Sequence, residues 1–119
     1  MSTLLTLGRS DHGDAVVVTA EGEVDLATAP QLAAALAVAG ADADRLLVAD
    51  LSKLRFLGSA GLAVLVTAGT DAEQNGRSLV VVAGPECVAR RALHLTGLDR
   101  VLTIVDDEGA ALTPGTPRA

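Results

Sequence analysis

The sequence predicts an α/β fold: one domain with a mixed, mostly parallel β-sheet covered by helices and an N-terminal hairpin strand at the sheet edge. Three observations point there. Apolar runs such as Val16-Val17-Val18 and Leu79-Val80-Val81-Val82 alternate with longer segments whose apolar residues recur at helical spacing. Gly, Pro and Asx residues punctuate the junctions between them. Two short strand-like runs at the start, with Asp11-His12-Gly13-Asp14 between them, form a hairpin before the alternation begins.

The chain has 119 residues and is 50% hydrophobic, enough for a single core. The domain is expected over 1–113, with 114–119, containing Pro114, Gly115 and Pro117, as a flexible tail. Leu4 to Leu7 reads as the first strand and Ala15 to Ala20, β-branched, as the second. Glu21 to Asp25 leads out of that strand towards a helix. Thr28 and Gln31 fit a capping box, in which the two residues satisfy each other's backbone N–H. Pro30 is tolerated in that first turn, where N–H groups have no helical acceptor. Leu32, Ala35, Leu36 and Ala39 form the apolar stripe, and Gly40 with Asp42-Ala43-Asp44 ends the helix.

Leu46 to Leu51 reads as a buried strand and Ser52 to Arg55 as a connecting loop. The second helix is expected from near Ser59 to about Gln74, stopped by Asn75-Gly76. Ser78 to Ala83 suits a central strand covered on both faces. Gly84-Pro85 breaks it, and a third helix follows from Glu86 to about Leu95, closed by Gly97 and Leu98. Val101 to Val105 reads as the last strand. Asp106 to Leu112 reads as a short final helix, its acids placed to favour the N-terminus.

Composition excludes several classes. Phe56 is the only aromatic residue, so base-stacking equipment is absent, and a net charge of −6 repels a phosphate backbone. No direct nucleic-acid contact is expected. No apolar run is long enough to span a bilayer, and Met1 to Leu5 lacks the basic start of a signal peptide, so a cytoplasmic location is expected. A single cysteine, Cys87, forbids an internal disulfide or a cysteine-based zinc site. It reads as a passive apolar filler on the third helix.

Catalytic constellations fail. Gly58-Ser59-Ala60-Gly61 lacks the glycine two places before the serine that a nucleophile elbow needs, since Leu57 stands there. His12, in a turn, and His94, inside a helix, have no sequence link to Ser59. Asp25 and Asp50 lie near strand ends without an acidic neighbour in sequence, so they read as solvated or capping carboxylates and not metal ligands. The chain is expected not to be an enzyme and to need no metal or cofactor. Ser59 itself has two readings at the start of its helix: a capping hydroxyl, or an exposed hydroxyl at the positive end of the helix dipole.

Three stretches bear a resemblance to a known family. They are Gly22-Glu23-Val24-Asp25 with Thr28-Ala29, then Asp50-Leu51-Ser52 through Phe56-Leu57-Gly58-Ser59-Ala60-Gly61-Leu62, then Arg91 to Leu102 with Leu95-Thr96-Gly97-Leu98. In this order and spacing the chain resembles the STAS family, and within it the bacterial anti-sigma-factor antagonists, from Leu4 to about Leu112. The resemblance implies that Ser59 is a phosphorylation site and that the protein binds an anti-sigma factor with serine kinase activity. That binding would release the sigma factor, and a phosphatase would restore the unmodified form. It places the partner-binding surface at Asp25, Thr28, Leu57, Gly58, Ala60 and Gly61, on a monomer or weak homodimer. Two positions depart from the pattern: Gly58 stands where aspartate is common, and Ala60 where Ser or Thr is. An alternative within the family is a small subunit of a lipid-transport complex. A receiver domain fits the layer pattern but lacks the acidic cluster and strand-end lysine such sites use.

Overall fold

The structure, a computed structural model, describes residues 4–113. The expected tail, 114–119, lies outside them. In chain order the elements are β1 (Leu5–His12), β2 (Ala15–Val24), α1 (Ala29–Asp42), β3 (Leu46–Leu57), α2 (Ser59–Gln74), β4 (Ser78–Val82), α3 (Val88–Leu95), a 3-10 turn (Leu98–Arg100), β5 (Thr103–Val105) and α4 (Glu108–Leu112). The five strands lie side by side in sequence order. The edge strand β1 is antiparallel to β2, and β2 to β5 are mutually parallel. The mixed, mostly parallel sheet with its hairpin strand at the edge is as expected.

This order explains the layering. Each parallel step β2–β3, β3–β4 and β4–β5 advances the sheet in one direction through a helix. Right-handed crossovers that all advance one way put every connecting helix on the same face. Accordingly Leu32 and Leu36 of α1, Leu65 of α2 and Leu93 of α3 join one core with Val16, Val18, Leu47 and Val81. Among the described residues the opposite face, with Val17, Val48 and Val80, receives only α4, through Ala111 and Leu112.

Four expectations are corrected. β1 continues through Asp11 and His12, so the hairpin turn is only Gly13-Asp14. These strand residues are polar because β1 is an outer edge, and Arg9 there pairs with Asp11 at 2.9 Å and with Asp42 at 2.7 Å. Ser52 to Arg55 is strand and not loop. Beyond Asp50, β3 has lost β4 as a neighbour and pairs only with β2, Lys53 opposite Glu21 and Leu57 opposite Val24. A strand half that faces solvent has no need of an apolar run. Finally, α3 begins at Val88, two residues late: Pro85 and Glu86 form a turn, and Cys87 is the half-buried N-cap. The final strand is also shorter than expected, because Leu98–Arg100 coils first.

Two glycines fix how α2 leaves the sheet. Gly22 lies at a register shift between β2 and β3 with φ +115°, and a Cβ there would run into the Leu4 carbonyl oxygen. Gly61, in the first turn of α2, is buried. A Cβ on it would lie 2.6 Å from both Leu57 Cδ1 and Val24 Cγ1. The Gly58 N–H donates to the Val24 carbonyl at 2.9 Å, tying the end of β3 to the end of β2. We expect Gly61→Ala to destabilise the fold by about 1–3 kcal/mol through overpacking, read as a lower denaturant midpoint at constant slope. An unchanged midpoint would mean the helix is not seated this closely.

On the second face Asp50 meets Glu108, the first residue of α4. Asp50 lies within β3, not at its end, and its acidic neighbour comes from the far end of the chain. The hydrogen bond to Asp50, followed by burial, pushes the Glu108 carboxyl up to about 7. Burial works to raise Asp50 as well, but hydrogen bonds from Glu108 and Ser52 overcome it and hold Asp50 below its usual value. The pair therefore shares one proton, with Lys53 alongside. Because the Glu108 value is raised on folding, its stabilising share is complete below its ordinary value and is lost as pH rises to about 7. Amide protection at Ala110 to Leu112, corrected for intrinsic exchange, should fall between about pH 5 and pH 8. Glu108→Gln should flatten that dependence. Constant protection in the unaltered protein would contradict the shared proton.

Candidate functional site

The parallel strands β2 and β3 end at the same edge, and the loops at the carboxyl ends of strands are where α/β sheets commonly place sites. Asp25 follows β2 directly. Its Oδ1 accepts from the Ala27 N–H at 2.9 Å and the Thr28 N–H at 3.0 Å. In return the Asp25 N–H donates to Thr28 Oγ1 at 2.9 Å, and the Ala29 N–H reaches the Asp25 carbonyl at 2.8 Å. This is a capping box, but on Asp25 and Thr28, three residues before the expected one on Thr28 and Gln31. The Thr28 hydroxyl faces back to the Glu23 carbonyl, 2.9 Å away, and makes no capping bond into α1. The hydrogen bonds from Thr28 lower the Asp25 carboxyl below its usual range. Asp25 is thus ionised and committed to holding the β2–α1 turn.

Ser59 is the first residue of α2 and is exposed. Gly58 is the N-cap, in extended conformation, so the capping reading of Ser59 is corrected: with no side chain at the cap, the helix start has no side-chain hydrogen bond. The Leu62 N–H is the first to find a helical acceptor, the Gly58 carbonyl at 3.1 Å. The N–H groups of Ser59, Ala60 and Gly61 precede it and have none within the helix. A hydroxyl beside three donors that lack a helical acceptor, at the positive end of a dipole, favours any negative charge placed on it.

The other expected site residues divide by depth. Gly58 and Ala60 are half-exposed beside Ser59. Thr28 is 6% exposed and Leu57 5%, and Gly61 is buried, so these three support the surface from beneath. Two residues outside the expected set stand out at the same edge. Leu26 is 85% exposed in the turn after Asp25, and Phe56 is 48% exposed at the end of β3. The Phe56 ring lies over Gly58, so that a Cβ there would be 3.0 Å from Phe56 Cε2. A leucine in a polar turn with nothing to bury it was the available sequence signal for Leu26; for Phe56 it was the sole aromatic next to the Gly-Ser step. The histidines lie elsewhere. His94 pairs with Asp99 at 2.9 Å, and His12 sits at the hairpin end of β2, roughly 30 Å from Val24 at about 3.3 Å per residue. Among the described residues no group of acids, His and Cys is arranged to hold a metal, and no helix is long and apolar enough to cross a membrane.

Comparison with known proteins agrees with this geometry. A family model described as "Mlab, STAS domain" matches residues 7–106. The anti-sigma-F factor antagonist RsfB of Mycobacterium tuberculosis is 38% identical over 109 residues, spanning 92% of this chain and 88% of RsfB. The crystal structure of an anti-sigma factor antagonist from Mycobacterium paratuberculosis superposes with a TM-score of 0.81 at 37% identity, over 91% of each chain. The anti-sigma factor antagonist SpoIIAA in its unphosphorylated form shares the fold, with a TM-score of 0.69 at 20% identity over 88% of this chain and 92% of that one. Matched over most of its length by the family model and by a relative well above the twilight of identity, the chain belongs to the STAS domain family.

Proposed function

We propose that this protein is an anti-sigma-factor antagonist: it binds an anti-sigma factor with serine kinase activity, frees the sigma factor, and is switched off by phosphorylation of Ser59. The antagonist reading rests on the relatives, which carry that name at 37–38% identity over nearly the whole chain. The switch reading rests on one observation, an exposed serine at the first position of α2 whose hydroxyl has no hydrogen bond to a described residue. A kinase can reach such a hydroxyl without unfolding anything. The protein acts by binding, without catalysing a reaction, and a phosphatase returns it to the binding form.

Charge and solvation support a switch that acts at the interface. Phosphate adds about −1.5 to −2 charges. At the start of α2 that charge meets free N–H groups, and the local effect is stabilising by about 0.3–1 kcal/mol. The fold therefore survives modification. A partner packed on Leu26, Phe56 and Gly58 would have to desolvate the phosphate beside these apolar contacts, which weakens binding. A hundredfold loss of affinity corresponds to about 2.7 kcal/mol.

Ser59→Ala and Ser59→Glu should melt within about 1 °C to 4 °C of the unaltered protein, since surface changes stay near 0.5 kcal/mol. Ser59→Ala should retain affinity for the cognate anti-sigma factor, and Ser59→Glu should lose most of it. After incubation with that factor and ATP, phosphate should appear on the peptide containing Ser59. Phosphate on another residue, with Ser59→Ala still switched, would overturn the assignment. Capture of a transporter ATPase in place of a kinase-like ATPase would favour the lipid-transport subunit.

A further inference from the structure

The two edges of the sheet are finished differently. At β1 the edge carries a closed charge network, with Arg9 held by Asp11 and Asp42. Charges placed in this way discourage pairing with another strand. The other edge is β5, Thr103–Val105, which ends the strand order. Its three side chains are half-buried and none is charged.

The backbone of β5 has a definite sense. The Ala83 N–H donates to the Val105 carbonyl at 2.9 Å, so Val105 turns its peptide groups towards β4. Adjacent residues of a strand turn theirs to opposite sides. The Ile104 N–H and C=O therefore point outward, and among the described residues they have no partner. An outward-facing residue at the middle of a strand suits a two-fold axis. Two such residues opposite each other in an antiparallel pair exchange both of their hydrogen bonds.

The flanks of β5 select what lies across it. Before the strand, Val101 is 61% exposed, and Arg100 is exposed with no ion pair among the described residues. After it come Asp106 and Asp107, both exposed. Asp106 is engaged by Arg90 at 3.0 Å. Asp107 caps α4, its Oδ1 accepting from the Ala110 N–H at 2.7 Å, and pairs with no cation among the described residues. One end of the edge is thus basic and apolar and the other acidic. A two-fold axis at Ile104 exchanges the ends, setting Val101 opposite Asp107 with Arg100 beside it. The edge is complementary to itself.

We propose that β5 is a homodimerisation edge, at which two copies pair antiparallel about an axis at Ile104 and join their sheets into one. An interface of this kind is isologous and closes on itself, so assembly stops at two. Three strand residues a side make a small contact, which places the dimer among weak, transient interfaces. The proposal does not depend on the switch reading, because β4 separates this edge from β3, which leads to Ser59.

Sedimentation equilibrium of the full chain tests it. The mass should rise from the monomer's 12.0 kDa towards twice that value as concentration increases, with a dissociation constant of about 0.1–1 mM. Backbone amide shifts over the same range should change most at Ile104 and be confined to Arg100 to Asp107. Two substitutions at Val101 separate this partner from a merely apolar contact. Val101→Asp sets like charges opposite each other and should weaken association at least tenfold. Val101→Lys sets opposite charges there and should leave association equal or tighter. Both should melt as the unaltered protein does, since the side chain is exposed. The same two changes at Ala41, exposed on α1, alter net charge equally and should not affect association. A constant monomer mass, equal losses in the two Val101 variants, association unaltered by Val101→Asp, or shifts centred on β1 would overturn the proposal.

Discussion

The close seat of α2 on the ends of β2 and β3 is the constraint on which the site depends. It consists of one hydrogen bond, Gly58 N–H to the Val24 carbonyl, and one missing side chain, that of Gly61. With no Cβ at Gly61, Leu57 and Val24 close over the helix at van der Waals distance, and the first turn cannot drift. Ser59 is then held at a fixed height above the sheet edge, next to the turn that Asp25 and Thr28 lock with their reciprocal bonds. In the proposed switch, rigid neighbours let a single added charge act on a partner and not on the fold.

The two faces of the sheet differ for a topological reason, and the difference divides their roles. Sequential right-handed crossovers stack α1, α2 and α3 on one side and leave the other to a five-residue helix. The thick side carries the core and the α2 N-terminus. The thin side depends on Ala111 and on a proton shared by Asp50 and Glu108. A helix of five residues has too few internal hydrogen bonds to persist unaided, so its docking follows the state of that pair.

The residues that made the fold legible were those whose neighbours are near in sequence. The Ser59–Gln74 helix was bounded correctly because Gly58 and Asn75-Gly76 act locally. The continuous apolar run of β4 marked a strand buried on both faces. The second half of β3 was hidden because its polar residues answer to a neighbour lost far away, at the end of β4. The capping box was displaced by three residues because Thr28 can serve as N3 to Asp25 as readily as N-cap to Gln31, and local sequence does not choose. The Asp50–Glu108 pair and the Leu26–Phe56 edge both arise from contacts or exposures that only the folded chain creates. Ser59 is a candidate site through its resemblance to a family pattern, whereas its lack of a side-chain hydrogen bond among the described residues required the structure.

The proposed switch requires the partner to sit on the α2 N-terminus. Backbone amide shifts of the labelled protein during titration with the cognate anti-sigma factor test this most directly. The expected footprint covers Val24 to Thr28 and Phe56 to Leu62, with line broadening strongest at Leu26 and Ser59 and little change at β1 or α4. A footprint on β1 or α4 that leaves the α2 N-terminus untouched would contradict it.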